Sequence, residues 1–196
     1  MAGFLHLSRA SPLRVCPPPD PLSSRAGMSP GSWGPVLSGE RVRVAPIDSR
    51  LARAMLAGVP EPELAWAEGF PMAPVLDIAP TIAAASEPLG PFLAYVIILA
   101  ADGKAIGDAG FHGPPRADGE LEVGYALVPA ARGVGLASEA VGLLITWAHR
   151  QPGVSAITAR VDPGNAASER LLTRLGFRSD GRHNGMQRFV LRPSNI

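Results

Sequence analysis

The chain has 196 residues, 46% of them hydrophobic and 18% charged, with a formal net charge of +1. That is enough for one domain with a sizeable core, and it is not the composition of a wholly disordered chain. A single cysteine, Cys16, excludes an internal disulfide framework and any cysteine-built zinc or iron–sulfur site, and no metal is expected. The near-neutral balance gives no basis for a general nucleic-acid binder, and no uninterrupted apolar run reaches about 18 residues, so no membrane span is expected.

Residues 1–36 differ from the rest. Seven prolines are interleaved with Ser, Gly and Arg, and three arginines stand against Asp20 alone, which leaves residues 37–196 with a net charge of −1. Such a stretch has no apolar periodicity and cannot recover its ordering entropy by burial, so it reads as a disordered, Pro-rich extension. The apolar run Ala2 to Leu7 is broken by His6 and is too short for a secretory signal. Its Arg and Ser suit an organellar transit peptide, but Pro17-Pro18-Pro19 opposes the amphipathic helix such signals form. An unstructured extension, or a true start at Met28, fits better. With one Cys and no clear signal, a cytoplasmic location is expected.

Regular structure is expected from about Glu40. Arg41 to Val44 alternates polar and apolar, as a strand does. Asp48 precedes a helical face of Leu51, Met55 and Leu56 closed by Gly58, and Glu61 to Gly69 suggests a second short helix. Residues 70–90 are ambiguous, because Pro71, Pro74, Pro80 and Pro88 punctuate an Ala-rich run. Phe92 to Leu99 reads as a buried strand, Asp102-Gly103 as a turn, and Ala105 to His112 as the returning strand. A third strand spans Glu120 to Val128, where Gly124 suggests a bulge or a close approach. After a small-residue loop, a helix carries Leu136, Ala140, Leu143, Leu144 and Trp147. Val154 to Val161 is a strand, and Asn165 caps a helix with an Ala167, Leu171, Leu175 stripe ending at Gly176. Phe177 to Asp180 and Met186 to Leu191 close the chain around Asn184-Gly185. The strand–helix–strand unit around 120–161 implies adjacent parallel strands and a right-handed crossover. The fold class is therefore α/β, a mixed central sheet with helices packed on it.

The stretch Val128-Pro-Ala-Ala-Arg132-Gly133-Val134-Gly135-Leu136-Ala137 follows a strand and opens a helix. Glycines allow a ligand close to the backbone, and unpaired N–H groups at a helix start attract anions, so the chemistry suits a phosphate or pyrophosphate. It is neither a P-loop nor a GxGxxG fingerprint, and a tight connection needing small residues would look similar.

Its neighbours add to the reading. Arg132-Gly-Val-Gly135-Leu-Ala137 resembles the Gln/Arg-x-x-Gly-x-Gly/Ala signature of the GNAT superfamily of N-acetyltransferases. Glu122-Val-Gly124-Tyr125-Ala-Leu-Val-Pro129 is similar to that family's fourth strand, and Gly110 to Pro115 to the hairpin before it. Val161-Asp-Pro-Gly-Asn165-Ala-Ala-Ser168, ending in Leu175-Gly176-Phe177, resembles the branch that holds the ribosomal-protein N-terminal acetyltransferases. The resemblance runs from about Leu37 to Pro193 and excludes the extension. It implies a GNAT-type sheet of about six or seven strands over residues 37–196, with acetyl-CoA as cosubstrate and an amine as acceptor. It further implies that Arg132 and the backbone N–H groups of Gly133, Val134, Gly135, Leu136 and Ala137 hold the pyrophosphate. Leu127 and Val128 would pair with the pantetheine arm, and a backbone N–H near Leu127 would polarise the thioester carbonyl. Asn165 would hydrogen-bond the pantetheine region.

Acid–base demands come from the chemistry. An amine of pKa near 10 is protonated at pH 7 and must lose a proton before attack, and the departing thiolate needs a proton or stabilisation. Glu122 is the first candidate base, against a plain solvent-facing strand residue. Glu120, on the same face, and His112 stand in reserve. Many family members carry a Tyr in the helix after the Asn as general acid. Here that position is Leu172, so Ser168 becomes the candidate, against a simple helix-turn serine. Arg170 and Arg174 are solvated charges or contacts to the cofactor's 3′-phosphate. The leading expectation is direct acetyl transfer to a primary amine, either a protein N-terminus or a small molecule. A catalytically degenerate acyl-CoA-binding sensor, raised by the missing Tyr, and a generic nucleotide-phosphate binder are the alternatives. Neither the acceptor nor the oligomeric state is legible.

Overall fold

The structure, a computed structural model, describes residues 33–193. The expected disorder of the extension, Cys16 and Met28 lie outside the described residues up to position 32. Folded chain begins ahead of Leu37, because Trp33 is buried in the core.

The strands are β1 (Leu37–Ser38), β2 (Val42–Pro46), β3 (Ala94–Leu99), β4 (Ala105–Phe111), β5 (Glu120–Leu127), β6 (Ala156–Val161), β7 (Arg178–His183) and β8 (Met186–Leu191). The helices are α1 (Ser49–Ala57), α2 (Ala73–Ala84), α3 (Leu136–Ala148) and α4 (Ala166–Arg174). One eight-stranded sheet runs in the order β1-β2-β3-β4-β5-β6-β8-β7. Every pairing is antiparallel except β5 with β6, the pair joined through α3. This is the expected mixed α/β sheet, with one strand more than the seven anticipated because the chain makes a two-residue strand at Leu37–Ser38 before turning into β2.

Local chemistry explains the helices. The Asp48 side chain accepts the Leu51 N–H at 2.8 Å and caps α1, which ends at Gly58 in the left-handed region. The ambiguous segment holds α2. Pro74 sits in its first turn, where no N–H is needed, and Pro80 lies inside the helix on its exposed side. The helix expected over Glu61 to Gly69 does not form. There the backbone pairs with the start of β4, Ala67 N–H donating to the Ala105 carbonyl and Ala105 N–H to the Ala65 carbonyl. Leu64 and Phe70 are buried from this irregular segment.

The core is continuous from Trp33 to Phe189. On the face covered by α3, Phe92, Phe111 and Trp147 form an aromatic cluster with ring centroids 5.4–6.1 Å apart, so Trp147 packs as expected. No helix among the described residues is long and apolar enough to cross a membrane. One buried charge stands out. Asp108 of β4 is 8% exposed and its Oδ2 has no hydrogen-bond partner, and burial pushes its carboxyl up to about 7. Since the folded-state pKa lies above the unfolded one, ionisation opposes folding as pH rises from about 4 through 7. Asp108→Asn should raise the melting temperature at pH 8 by roughly 5 °C or more, with the gain vanishing near pH 4, measured by thermal unfolding at both pH values.

Candidate active site

The site begins where two parallel strands part. β5 and β6 pair only at Glu120↔Ala156, Leu121↔Ile157 and Glu122↔Thr158, although β5 continues to Leu127 and β6 to Val161. Beyond Glu122 a gap opens between them. The Glu122 carbonyl and the Val128 N–H both bond toward β4. By the alternation of an extended strand, the backbone N–H groups of Tyr125 and Leu127 therefore face the gap. The Leu127 carbonyl on that side accepts the Arg132 Nε–H at 2.8 Å.

Arg132 follows a 3-10 turn over Pro129–Ala131. Gly133 and Gly135 take φ of +81° and +86°, and Gly135, in the left-handed region, is the residue that starts α3. The N–H groups of Gly133, Val134, Gly135, Leu136 and Ala137 donate to no backbone carbonyl among the described residues. The dipole of α3 adds to this cradle of donors, which suits an anion. Behind it, Arg41 from the β1–β2 turn braces the loop. Its Nη1 donates to the Val134 carbonyl at 2.9 Å, and its Nε and backbone N–H donate to Glu139 at 2.9 and 2.7 Å. Burial alone would raise the Glu139 carboxyl, but these bonds, the Val42 N–H and the Arg41 charge hold it lower. A Cβ at Gly39 would meet the Glu139 carboxylate, which would have to shift from its bonds to Arg41 to make room.

A cleft of about 460 Å³ joins the cradle to the gap. Leu127, Arg132, Gly133, Gly135, Leu136 and Ala137 line it on one side. Asn165, Ser168, Arg170 and Arg174, on or beside α4, line it on the other. The Asn165 side-chain oxygen accepts the Ser168 N–H at 3.1 Å, which caps α4 and leaves the amide NH₂ for a ligand. Val134 is 61% exposed on the loop. Val128 corrects the expectation that it pairs with a ligand. Its N–H bonds the Ile106 carbonyl, its carbonyl accepts the Ala131 N–H, and its side chain is buried. Leu172 is wholly buried and offers no proton.

At the vertex of the gap lie the carboxylates. Glu122 Oε1 is 2.7 Å from Arg160 Nε and 3.2 Å from His112 Nδ1, and Oε2 is 3.4 Å from Arg116 Nη2. Burial would raise its carboxyl, but hydrogen bonds and charge from His112 and Arg160 overcome this and hold it at about 2. Such a group stays ionised and is too weakly basic to serve well as the direct proton acceptor expected of it. Glu120, the reserve, is held by Arg188 at 2.6 Å, and Arg188 also pairs with Asp180. His112 lies over Gly124, where a Cβ would fall 2.9 Å from its Nε2, so what approaches that glycine is a side chain and not the bulge, backbone or ligand expected there.

The sequence reading missed Arg160, Arg41, Glu139 and the role of Tyr125 in the cleft wall. A charge inside the otherwise apolar run of β6 was the available signal for Arg160. Tyr125 shares strand period with Leu127. No group of three or more His, Cys, Asp or Glu side chains among the described residues is placed to hold a metal.

Residues 41–178 match the model of the acetyltransferase (GNAT) domain family. An uncharacterized N-acetyltransferase of Bacillus subtilis, YjdG, is 36% identical over 86 residues, 44% of this chain and 51% of that protein. The chain thus spans about half the length of such relatives. Among solved structures, Mycobacterium smegmatis RimJ in complex with CoA-disulfide aligns with a TM-score of 0.59 at 22% identity, over 83% of this chain and 89% of that one. The ribosomal-protein-S5-alanine acetyltransferase of Vibrio fischeri aligns with 0.56 at 20%, over 82% and 97%. These two likenesses are of fold.

Glu122 has a folded-state pKa below its unfolded value, so its contribution to stability is complete above about pH 4.5 and lost as pH falls toward 2. Glu122→Gln should lower the melting temperature at pH 7 by about 2–8 °C, from roughly 1–2 kcal/mol for a partly screened pair. The difference from the parent should shrink progressively below pH 4.5 in a pH series of thermal melts.

Proposed function

Because the chain belongs to the GNAT acetyltransferase family, we propose that it moves an acetyl group from acetyl-CoA to a primary amine by direct attack. The observation that carries this reading is the parting of β5 and β6 beside the N–H cradle at the head of α3. One supplies a strand edge for an amide-bearing arm, the other a site for its phosphates, and one cleft joins them.

In this reading the N–H groups of Gly133 to Ala137 hold the pyrophosphate, with Arg132, Arg170 and Arg174 supplying charge along the same cleft. Backbone groups of Leu127 and Tyr125, with the Asn165 amide, hold the pantetheine arm. Either gap-facing N–H can stabilise the oxyanion that develops on the thioester carbonyl. His112, exposed at the edge of the gap with its Nδ1 3.2 Å from Glu122, takes the proton from the amine, directly or through water. Glu122 orients His112 and favours the imidazolium that results. Ser168 faces the leaving sulfur. A protein N-terminus and a small-molecule amine are both compatible acceptors.

Acetyl-CoA at about 100 times its dissociation constant should raise the melting temperature by about 5–10 °C, with ATP as the control ligand. Ala137→Glu isolates the cradle. Its charge repels the pyrophosphate and should abolish the shift measured against the variant's own ligand-free melt, since Ala137 also packs against the core. No shift for the parent chain at millimolar acetyl-CoA would overturn the reading.

A further inference from the structure

The proposed chemistry leaves one polar group in the cleft without a task. Tyr125 lines the cleft, yet its hydroxyl is buried and no hydrogen bond of good geometry reaches it. The group beside it is the side chain of Ser168. Tyr125 lies three residues beyond the last β5–β6 rung at Glu122, and it shares the cleft wall with Ser168 of α4. Ser168 is half-buried and fixed by the Asn165 cap on its N–H. The other charged groups along the cleft, Arg132, Arg170 and Arg174, are exposed.

Resting on the acetyl-transfer reading, we infer that Tyr125 is a positioning residue for the leaving group: when the cofactor fills the cleft its phenol turns to donate to the neighbouring Ser168 oxygen, so that the Ser168 hydroxyl points its own proton at the departing sulfur. A serine hydroxyl rotates freely and is both donor and acceptor. A buried donor behind it occupies the acceptor side, sets the rotor, and strengthens the outward bond through polarisation. Burial keeps Tyr125 a phenol, raising its pKa more than the Ser168 contact lowers it, so it remains a donor throughout. In the step itself the C–N bond forms, the C–S bond breaks, and the electron pair passes to sulfur. The charge on sulfur is held by the Ser168 O–H, with no net transfer from Tyr125. The amine's proton leaves through His112 and water, and the thiolate gains one from solvent on release.

The test reads the thiol of bound CoA. Ultraviolet absorbance of the thiolate is followed against pH in the CoA complex, with the S-methyl-CoA complex subtracting Cys16 and tyrosine signals. If the relay operates, the bound thiol titrates about one unit higher in Tyr125→Phe than in the parent chain. The kcat should fall about 10-fold, KM for acetyl-CoA should stay within about twofold, and the melting temperature should be unchanged. Ser168→Ala should match it, and the double variant should lose no more than either single one. An unmoved thiol pKa in Tyr125→Phe, or additive losses in the double variant, overturns the relay and leaves acetyl transfer standing. Failure of CoA to bind the parent chain overturns both.

Discussion

The bond between Arg160 and Glu122 sits where the parallel pairing of β5 and β6 ends. A twisted sheet tends to keep its strands paired, since each unpaired backbone group in a protein interior carries a penalty. Here the strands separate after Glu122, and the pair from either side of the last shared rung ties them at that point. The gap, the exposed N–H groups of β5 and the entry of α4 into the cleft wall all follow from that separation. The same carboxylate holds His112 over Gly124, so one anion governs both the opening of the sheet and the placement of the imidazole.

The two ends of the cleft use different physics. In the acetyl-transfer reading, the phosphate end is met by backbone N–H groups that helix formation leaves unpaired, a device independent of side-chain identity provided the side chains are small. In the same reading, the reacting end depends on particular residues held by second partners: the His112 ring by Glu122, and the Ser168 backbone by the Asn165 cap. Errors of an ångström matter little for the first and greatly for the second.

Much of this was legible in the sequence, unevenly. The α/β order, the crossover through α3, the glycine loop and the Asn165 cap all rest on local pattern, and local pattern is what periodicity and turn chemistry record. The unpaired N–H groups of Gly133 to Ala137, at the head of a helix, follow from that same pattern. Glu61 to Gly69 was misread as helical because its backbone partner is Ala105, some forty positions away, and nothing local announces such a bridge. Val128 was assigned to the ligand because strand period says which side a residue faces, whereas which neighbour its N–H bonds depends on register. Glu122 was located, but its acidity was not. That is set by Arg160 and His112, which three-dimensional pairing brings to it from β6 and from the end of β4.

Arg41 joins the first turn of the sheet to the loop that opens α3, through the Val134 carbonyl and Glu139. Two regions so tied do not loosen independently. Linkage is reciprocal, so whatever orders the loop also secures the outer edge of the sheet at β1 and β2, and fraying of that edge is felt at the loop. The outermost strand, two residues long, is thereby drawn into the same cooperative unit as the anion cradle. Its amide protons, far in sequence from the cleft, are positioned to report on occupancy there.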